Sequence, residues 1–565
     1  MRRRASSPSI FVKTLSREPR LSLLSPPSYT YAAVVVIVDG CTVECLAKAK
    51  TPFLDSLIEK GSHSFSCKSI YPTVTYAAHS SILTGVRPDA HGIVGNAFYD
   101  RELGRIFDLD EYDVNSLLLS KTMFEIIEGV KAAVGEPVTK GADIVISKSE
   151  VQASGLWEQD EYAVNKAIEV MTRHRPILIV INLPGMDAIC ERFGPRSREA
   201  IMALENVDKL IKRLEDALRN TYSDHLLVIL SDHGLTEVSK NLDLRALMKN
   251  LGLEDGVIIC PSHRFAHIYM KDPRRRDEVK ELLRSDERFE LVLDAKEMEE
   301  IGLSGVRTGD LVVFAARGYE LGPQRLKGSH GGISPEEMLV PLIVNKHEYV
   351  DMMKDPCITD VPKIVLRYLR EKEVEGIIRE KLRDVDPSHG WEHVERVLSL
   401  ATKLAIKYGA DVEAVRLSAL LHNSERGETP DIHVKRSEKF ARDLLNRTGI
   451  STSKMEVVLR AIRNHHTDKP ERLETLEEKI LWDADKLDAL GLIGLARCLQ
   501  GAGYKRKGLE HALNHLRRDI EMLTETMHFQ DTKAMAQEKL RNVKEFIELL
   551  NREIELTKKS YSYSR

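Results

Sequence analysis

The sequence predicts an α/β module followed by an all-α module, and two observations support that prediction. Over residues 31–345, short apolar segments alternate with amphipathic helical stretches, a pattern typical of a mainly parallel sheet covered by helices. Beyond residue 362 the strand-like segments stop and apolar residues recur at helical spacing. Of the 565 residues, 42% are hydrophobic and 30% charged, which excludes a collagen-like or largely disordered chain.

The charge balance and the cysteines narrow the class of protein further. Lys and Arg total 83 and Asp and Glu total 87, giving a formal net charge of −4 that argues against a nucleic-acid-binding surface. The seven cysteines are scattered and give no disulfide framework. No apolar run approaches the ~18 residues of a membrane span. We therefore expect a cytoplasmic protein, with residues 1–30 forming a disordered or targeting tail outside the fold.

The first module, residues 31–345, is expected to place its strands where apolar residues form short continuous runs. These strands are Ala33–Val38, Ile177–Leu183, His225–Leu230, Leu311–Phe314 and Leu339–Val344. Helical spacing predicts helices over Tyr76–Thr84, Glu199–Leu218 and Arg275–Leu283. In open parallel sheets ligands bind at the carboxyl ends of the strands. The polar residues directly after these strands are therefore the first candidates for a site.

Acidic and histidine side chains follow several of the predicted strands. They are Asp39 after the first, Asp187 after the second, Asp232 and His233 after the third, and His330 in the small-residue loop Gly328–Gly332. Carboxylates and imidazoles grouped in this way are typical of a divalent-metal site. Taken singly each signal is weak, because a strand end that reads Asp-Gly is commonly only a turn.

Thr75 opens the predicted helix that follows the first strand. Free backbone N–H groups at a helix start favour a phosphate, and a hydroxyl beside a metal is a usable nucleophile. A threonine in this position is also a common helix N-cap, and that alternative stays open.

The order of these pieces resembles the type I phosphodiesterase/nucleotide pyrophosphatase branch of the alkaline phosphatase superfamily. The matching blocks are Asp39-Gly40, Pro72-Thr-Val-Thr75 through Thr84-Gly85, Pro88 through Asn96, Asp187 with Gly194-Pro195, Ser231-Asp-His-Gly234 and Gly328-Ser-His330-Gly. The resemblance implies an alkaline-phosphatase-like fold with two divalent metal ions and a small phosphodiester or nucleotide as substrate. The stretch Gly92–Tyr99 also resembles phosphonoacetate hydrolases, so a phosphonate hydrolase is an alternative.

The resemblance also implies a role for each site residue. One metal would be held by Asp39, Thr75, Asp232 and His233, and the other by Asp187, His330 and the residue four after Asp187. Thr75 would attack phosphorus and form a covalent phospho-threonine. Asn96 would bind a phosphoryl oxygen through its amide.

One position departs from the family pattern. Four residues after Asp187, where the family has His, this chain has Glu191. The spacing aims both side chains at one point if the segment is helical, and a carboxylate there shifts the metal preference from zinc towards manganese or magnesium. The alternative is that Glu191 forms a salt bridge with Arg192 or Arg196 and the second metal binds weakly.

A linker over residues 346–362 is expected to separate the α/β module from an all-α domain over residues 363–505. The helices are predicted at Ile364–Leu382, Val394–Tyr408 and Val412–Leu421. A long, charge-laced helix over Leu509–Leu556 dominates the final segment, residues 506–565, and suggests a homo-oligomer.

The all-α domain has its own ordered set of His and Asp residues. This half is similar to the HD-domain phosphohydrolases, on the strength of His389 through His393, Leu420-Leu421-His422-Asn423, His465-His466, and Asp483 through Gly494. By that resemblance the metal ligand candidates are His393, His422 and Asp485, with Asp483 as an alternative to the last.

Two departures weaken this second site. Asn423 stands where the family has the second Asp, and Gly390 stands where an Asp follows the early His. An amide coordinates a divalent metal less strongly than a carboxylate does. We therefore expect a degenerate HD module with a single weakly bound divalent ion, acting in nucleotide sensing or packing. A nucleotide-sensing or metal-binding protein with little turnover is the corresponding alternative for the whole chain.

Overall fold

The computed structural model describes residues 30–253, 256–322, 325–427 and 429–561, so that all but the last residue of the expected N-terminal tail lies outside the described residues. In these residues the strands β1 to β16 are Tyr31–Val38, Ser62–Lys68, Ala97–Asp100, Arg105–Asp108, Lys131–Val134, Ile144–Ile146, Leu178–Leu183, Asp224–Leu230, Thr236–Asn241, Val257–Ser262, Phe265–Met270, Phe289–Asp294, Leu311–Ala315, Gly318–Glu320, Gly328–Ser329 and Leu339–Val344.

Helices lie in the intervals between these strands. Beyond Val344, all the regular secondary structure of the described residues is helical. Helices α1 to α13 are Val43–Lys48, Pro52–Lys60, Thr75–Thr84, Pro88–His91, Met123–Ile126, Lys148–Gln152, Gln159–His174, Gly185–Phe193, Arg198–Thr221, Leu244–Asn250, Arg276–Arg284, Ala295–Glu300 and Pro335–Met338. Helices α14 to α22 are Val361–Lys381, Trp391–Tyr408, Val412–Leu421, Pro430–Leu445, Thr452–Asn464, Leu476–Asp488, Gly491–Tyr504, Leu509–Glu525 and Gln530–Tyr561.

The central sheet has seven strands in the order β2-β16-β8-β1-β7-β5-β6. Strand β1 pairs in parallel with β7 and β8, whereas β16 runs antiparallel to both of its neighbours. The residues of β1 alternate between two apolar cores, one on each face of the sheet, which explains why its sequence is a continuous apolar run. The prediction of an α/β fold with a mainly parallel sheet is confirmed.

One predicted strand belongs elsewhere. The segment Leu311–Phe314 forms β13, which lies in a separate four-stranded antiparallel sheet of order β10-β11-β13-β12. Its apolar run correctly indicates a buried strand, since all five residues of β13 are buried. Burial alone does not determine which strands are its neighbours. This second sheet matters for the site because the turn between β10 and β11 reaches the central sheet.

Helix α14 joins the two halves of the chain. Its first turns, through Ile364 and Tyr368, pack in a core of the central sheet, and its later residues Val374 and Ile378 pack among the helices that follow. Lys372 Nζ also lies 2.6 Å from the Asp224 carboxylate at the start of β8. A single helix therefore contributes to both cores.

The prediction of one long terminal helix is wrong, because the structure divides this segment into two helices, α21 and α22. The Asp483 carboxylate on α19 accepts hydrogen bonds from the backbone N–H groups of His528 (2.9 Å) and Phe529 (3.3 Å) between the two helices. It also accepts a hydrogen bond from Thr532 Oγ1 at 2.6 Å. A distant buried carboxylate thus stabilises a helix start that the local sequence does not show.

Candidate active site

Thr75 lies at the first position of α3, where the chain enters the helix from the edge of the central sheet. Val74 is the N-cap residue, and the Thr75 hydroxyl does not cap the helix; its Oγ1 lies 3.3 Å from His233 Nε2. The next backbone N–H, of Tyr76, donates to Asn96 Oδ1 at 3.2 Å. That contact leaves the amide nitrogen of Asn96 free to donate.

A first group of metal-ligating atoms comes from the ends of β1 and β8 and from α3. Ligand atoms of Asp39, His79 and Asp232 all lie within 4.8 Å of one another. One oxygen of Asp39 accepts from Asn182 Nδ2 at 3.2 Å, and one of Asp232 accepts from the Gly40 N–H at 3.2 Å. The remaining oxygens, Asp39 Oδ1 and Asp232 Oδ2, have no hydrogen-bond partner.

His79, four residues after Thr75 on helix α3, lies between two buried carboxylates. Its Nδ1 lies 2.9 Å from the buried Glu136 carboxylate. Its Nε2 has no hydrogen-bond partner and lies 3.5 Å from Asp232. Burial opposes a charge on this ring, but Glu136 and Asp232 outweigh it and raise the pKa of His79. The signal missed in the sequence is its position four residues after Thr75, on the same face of the helix.

A second group adjoins the first through His233, whose Nε2 lies 3.2 Å from Asp232 Oδ2 and 3.8 Å from Asp39 Oδ1. Ligand atoms of Asp187, His233 and His330 lie within 4.8 Å of one another, and the two imidazoles stack with centroids 3.8 Å apart. His330 Nδ1 lies 2.9 Å from the carbonyl oxygen of Thr73 and donates to it, so Nε2 carries the free lone pair. That nitrogen lies 3.9 Å from Asp187 Oδ1.

Glu191 lies one turn after Asp187 on helix α8, as the spacing requires for a shared face. The proposed salt bridge to Arg196 is absent from the described contacts, because Arg196 Nε pairs with Glu44 at 2.9 Å. Glu191 instead lies 3.5 Å from His263 Nδ1, and both residues form a third group with His330. His263 is on the β10–β11 turn, in a stretch where the sequence shows no motif.

The electrostatics of the site favour cations. Burial and neighbouring carboxylates raise the pKa values of Asp39 and Asp187. Burial lowers the pKa of His233 to about 4 and that of His330 well below its ordinary value, so both rings are neutral and able to ligate. Burial opposes ionisation of Asp232, but His233 and His79 lower its pKa to about 2.

The donor set fits divalent metals. Among the described residues, five buried nitrogen and oxygen atoms of the candidate ligands around Thr75 lack hydrogen-bond partners: Asp39 Oδ1, Asp187 Oδ1, Asp232 Oδ2, His79 Nε2 and His233 Nδ1. Buried polar atoms without partners are rare in native proteins and point to an ion or water. Carboxylates that approach one another in this way are stabilised by a shared cation.

A cleft of about 350 Å³, which Asn96 and His263 help to line, is large enough for a small ligand. Its lining includes Asn96, Asp110, Arg245, Ser262 and His263. The region over residues 240–325, which the sequence left without a motif, therefore supplies one wall of the candidate substrate pocket.

The helical half brings its predicted ligands together as well. Atoms of His393, His422 and Asp485 lie within 4.8 Å of one another. The Nδ2 atom of Asn423 lies 2.9 Å from His393 Nε2 and 2.8 Å from His422 Nε2. The amide thus stands between the two imidazoles. Asp485 Oδ2 pairs with Lys486 at 2.7 Å, which neutralises part of its charge.

Two other polar groups of the helical half differ from expectation. Asp483, the alternative ligand, is wrong in that role because its oxygens bind the α21–α22 junction. A second group, His433, His465 and His466, has ligand atoms within 4.8 Å of one another. His433 in particular was not among the predicted residues, since its helix carries no recognisable motif.

No described helix is both long and apolar enough to cross a bilayer.

Comparison with known proteins gives two matching family models. A type I phosphodiesterase/nucleotide pyrophosphatase model matches residues 33–333, and an HD domain model matches residues 390–490. Ectonucleotide pyrophosphatase/phosphodiesterase family member 1 of Mus musculus is 27% identical over 227 residues, 38% of this chain and 24% of that protein. Venom phosphodiesterase of Macrovipera lebetinus is 29% identical over 209 residues, 34% of this chain and 24% of that protein. The chain thus spans about a quarter of the length of these curated relatives.

Solved structures share the fold. Phosphonoacetate hydrolase from Sinorhizobium meliloti 1021 superposes with a TM-score of 0.51 at 19% identity, covering 60% of this chain and 96% of that chain. Murine ectonucleotide pyrophosphatase/phosphodiesterase 5 gives a TM-score of 0.51 at 21% identity, covering 60% and 95%.

Proposed function

The chain belongs to the type I phosphodiesterase/nucleotide pyrophosphatase family, and from this premise we propose that its α/β module hydrolyses small phosphodiesters or nucleotide pyrophosphates with Thr75 as nucleophile. One observation carries the proposal. The Thr75 hydroxyl does not cap its helix but lies 3.3 Å from His233 Nε2. His233 belongs to the group of Asp187 and His330, and its Nε2 lies 3.8 Å from the Asp39 carboxylate and 3.2 Å from the Asp232 carboxylate of the other group. The cytoplasmic location and the homo-oligomer stay predictions.

The same residues would hold two divalent cations. Asp39, Asp232 and His233 would bind one beside Thr75, since carboxylate oxygens of both aspartates lie within 3.8 Å of His233 Nε2. Asp187 and Glu191, which each group with His330, would bind the other together with His330. Bound there, the two cations would stabilise the negative charge that develops on the attacking and leaving oxygens. Imidazole ligands suit zinc, whereas the carboxylate of Glu191 also suits manganese or magnesium.

The chain's own groups perform the remaining steps. Thr75 Oγ1 gives up its proton to solvent and forms the new bond to phosphorus, and the leaving oxygen departs with its electron pair and takes up a proton. Water then attacks phosphorus, the bond from phosphorus to Oγ1 breaks, and a proton from that water restores the hydroxyl. Asn96 Oδ1 is held by the Tyr76 N–H, which orients the amide nitrogen to donate to a phosphoryl oxygen. The start of α3 adds the favourable end of a helix dipole.

Replacement of the nucleophile tests this proposal. Thr75→Ala is expected to lower kcat on a nitrophenyl diester or a dinucleotide by about 10³-fold or more, while nucleotide binding is retained. Thr75→Ser, which keeps the hydroxyl, is the matched control and should retain most of the activity. Unchanged turnover in Thr75→Ala would contradict the covalent route. Turnover of phosphonoacetate in place of the diester would support the phosphonate hydrolase, and nucleotide binding without turnover would support the sensing protein.

For the helical half we propose a weakly metal-binding HD module that does not hydrolyse. His393 Nδ1 donates to Asp488 at 2.8 Å and His422 Nδ1 donates to the Ala419 carbonyl at 2.7 Å, so both Nε2 atoms carry lone pairs. Those lone pairs accept from Asn423 Nδ2. An incoming cation therefore has to displace the amide and compete with Lys486 for Asp485.

Asn423→Asp tests the role of the amide, because it removes both donors and adds a carboxylate of the same shape. We expect the affinity of the full chain for Mn²⁺ to gain one site at least about tenfold tighter. Asn464→Asp, on the neighbouring helix α18, is the matched control and should leave metal binding unchanged. Equal metal binding in the wild type and in Asn423→Asp would contradict the proposal.

A further inference from the structure

We infer that His263, on the turn between β10 and β11, is a ligand of the second metal and takes the place of the histidine that the family has where this chain has Glu191. The inference rests on the proposed two-metal site and adds a residue that lies far from the family motifs in sequence. It gives the second metal two carboxylates and two imidazoles: Asp187, Glu191, His263 and His330.

The geometry places His263 on the open side of His330. The two rings are 4.1 Å apart between centroids, at an angle of 35°, and His263 Nδ1 lies 3.5 Å from Glu191 Oε1. Ligand atoms of Glu191, His263 and His330 all lie within 4.8 Å of one another, as a shared ion requires. His330 also belongs to the group with Asp187, so one ion at its Nε2 can contact residues of both groups.

The backbone holds His263 in this position at a cost. Its φ of 56° lies in the left-handed region, which a residue with a side chain seldom adopts outside functional or tightly constrained turns. The next residue, Arg264, is fully buried; its N–H donates to the His330 carbonyl at 3.0 Å and its guanidinium pairs with Glu337 at 3.0 Å. The turn is therefore anchored directly to the loop that carries His330.

Ligand chemistry explains why the exchange is tolerated. A set of Asp187, Glu191 and His330 alone has one imidazole and two carboxylates, which favours hard cations. Adding His263 restores the second imidazole and keeps the extra negative charge of Glu191. The second site is then expected to bind zinc tightly in spite of Glu191.

A metal titration of the full chain tests this assignment. The metal-stripped protein is titrated with Zn²⁺ alone by calorimetry, and the visible absorption of the Co²⁺-loaded protein is recorded. His263→Ala is expected to weaken one of the sites by at least about tenfold and to change the Co²⁺ spectrum. His174→Ala, an exposed histidine in the last turn of α7, is the control and should match the wild type. Metal bound by the helical half contributes equally to every variant.

Restoring the family residue provides a second test. In a Glu191→His background His263 becomes dispensable, so His263→Ala should then cost less than about threefold in zinc affinity. In addition, His263→Cys should give the Co²⁺-loaded protein a thiolate-to-metal absorption band in the near ultraviolet, which arises only when residue 263 coordinates. Far-UV circular dichroism confirms that each variant is folded.

The outcomes separate this inference from the proposed function. Unchanged zinc affinity in His263→Ala, no thiolate band in His263→Cys, or an equal loss in the Glu191→His background would overturn the assignment. A raised KM with unchanged metal binding would make His263 a substrate contact and would also overturn it. Weakened metal binding in His263→Ala with full activity in Thr75→Ala would support the ligand and contradict the covalent mechanism.

Discussion

Arg264 is the side chain whose loss is expected to be most costly to the α/β module. It is fully buried, and its Nε donates to Glu337 Oε1 at 3.0 Å. Its two terminal nitrogens donate to the backbone carbonyls of Ala315 (3.1 Å), Ala316 (3.2 Å) and Tyr319 (3.0 Å). One guanidinium thus joins the second sheet to helix α13, directly before β16. Arg264→Met removes the charge and all four donors while keeping an apolar stem of similar length.

The magnitude follows from the groups left behind. Removing one partner of a buried ion pair costs about 3–5 kcal/mol, because the Glu337 carboxylate is left without a counter-charge. Three carbonyls that lose a donor cost about 1 kcal/mol each, and burial of the methionine side chain offsets about 2–3 kcal/mol. The expected loss in free energy of unfolding is therefore about 4 kcal/mol at pH 8.

The loss should depend on pH. Burial raises the pKa of Glu337 even with Arg264 lowering it, so removal of Arg264 raises that pKa further. A carboxyl group with a raised folded-state pKa favours folding below that pKa and disfavours it above. Each pH unit of this titration changes the free energy of unfolding by about 1.4 kcal/mol. At pH 5.5 the loss in Arg264→Met should therefore be smaller than at pH 8.

Urea unfolding followed by hydrogen–deuterium exchange on peptides of β10 and β11 reports this module separately from the helices. The control is Arg317→Met, whose side chain is 62% exposed and pairs with Glu336, so it should cost less than about 1 kcal/mol at either pH. Equal losses in the two variants, or a loss in Arg264→Met that is the same at pH 5.5 and pH 8, would refute the reasoning.

Two further predictions concern Asp160, which accepts from the Gly185 N–H at the start of α8, and Asn96. Burial raises the pKa of Asp160 to about 6, so its contribution to stability is lost as the pH rises through 6. Asp160→Asn should therefore stabilise the protein by up to about 3 kcal/mol at pH 8 but not at pH 4, as measured by urea unfolding. Asn96→Ala should lower kcat on a nitrophenyl diester by about 10²- to 10³-fold, and Asn115→Ala, a turn asparagine away from Thr75, should not.

Sequence alone could predict the central sheet and most of the candidate site. Strand β1 is a continuous apolar run, and a parallel sheet brings the residues after β1, β7 and β8 to one edge, so Asp39, Asp187 and Asp232 are placed by local signals. The four-residue interval between Asp187 and Glu191 places both side chains on one face if the segment is helical, and the structure has helix α8 there.

What the sequence could not predict depends on distant contacts. His263 reaches the site from a second sheet whose strands carry no recognisable pairing signal, and its neighbour Arg264 finds Glu337 only in the folded chain. The break after α21 depends on Asp483, which lies 45 residues before His528 in the sequence. In both cases tertiary packing brings a buried charged group to its partner. The periodicity of apolar residues in the sequence carries no information about such a pairing.

The two candidate metal sites differ in how their polar atoms are satisfied, and that difference bears on which one binds metal firmly. Around Thr75, oxygens of Asp39, Asp187 and Asp232 are buried without hydrogen-bond partners, a costly arrangement that a divalent cation relieves. In the group of His393 and His422, the Asn423 amide already occupies both imidazole lone pairs. A cation gains little there, because every contact that it forms replaces one that the protein has. The same types of ligand atom are therefore without partners around Thr75 and hydrogen-bonded at His393 and His422.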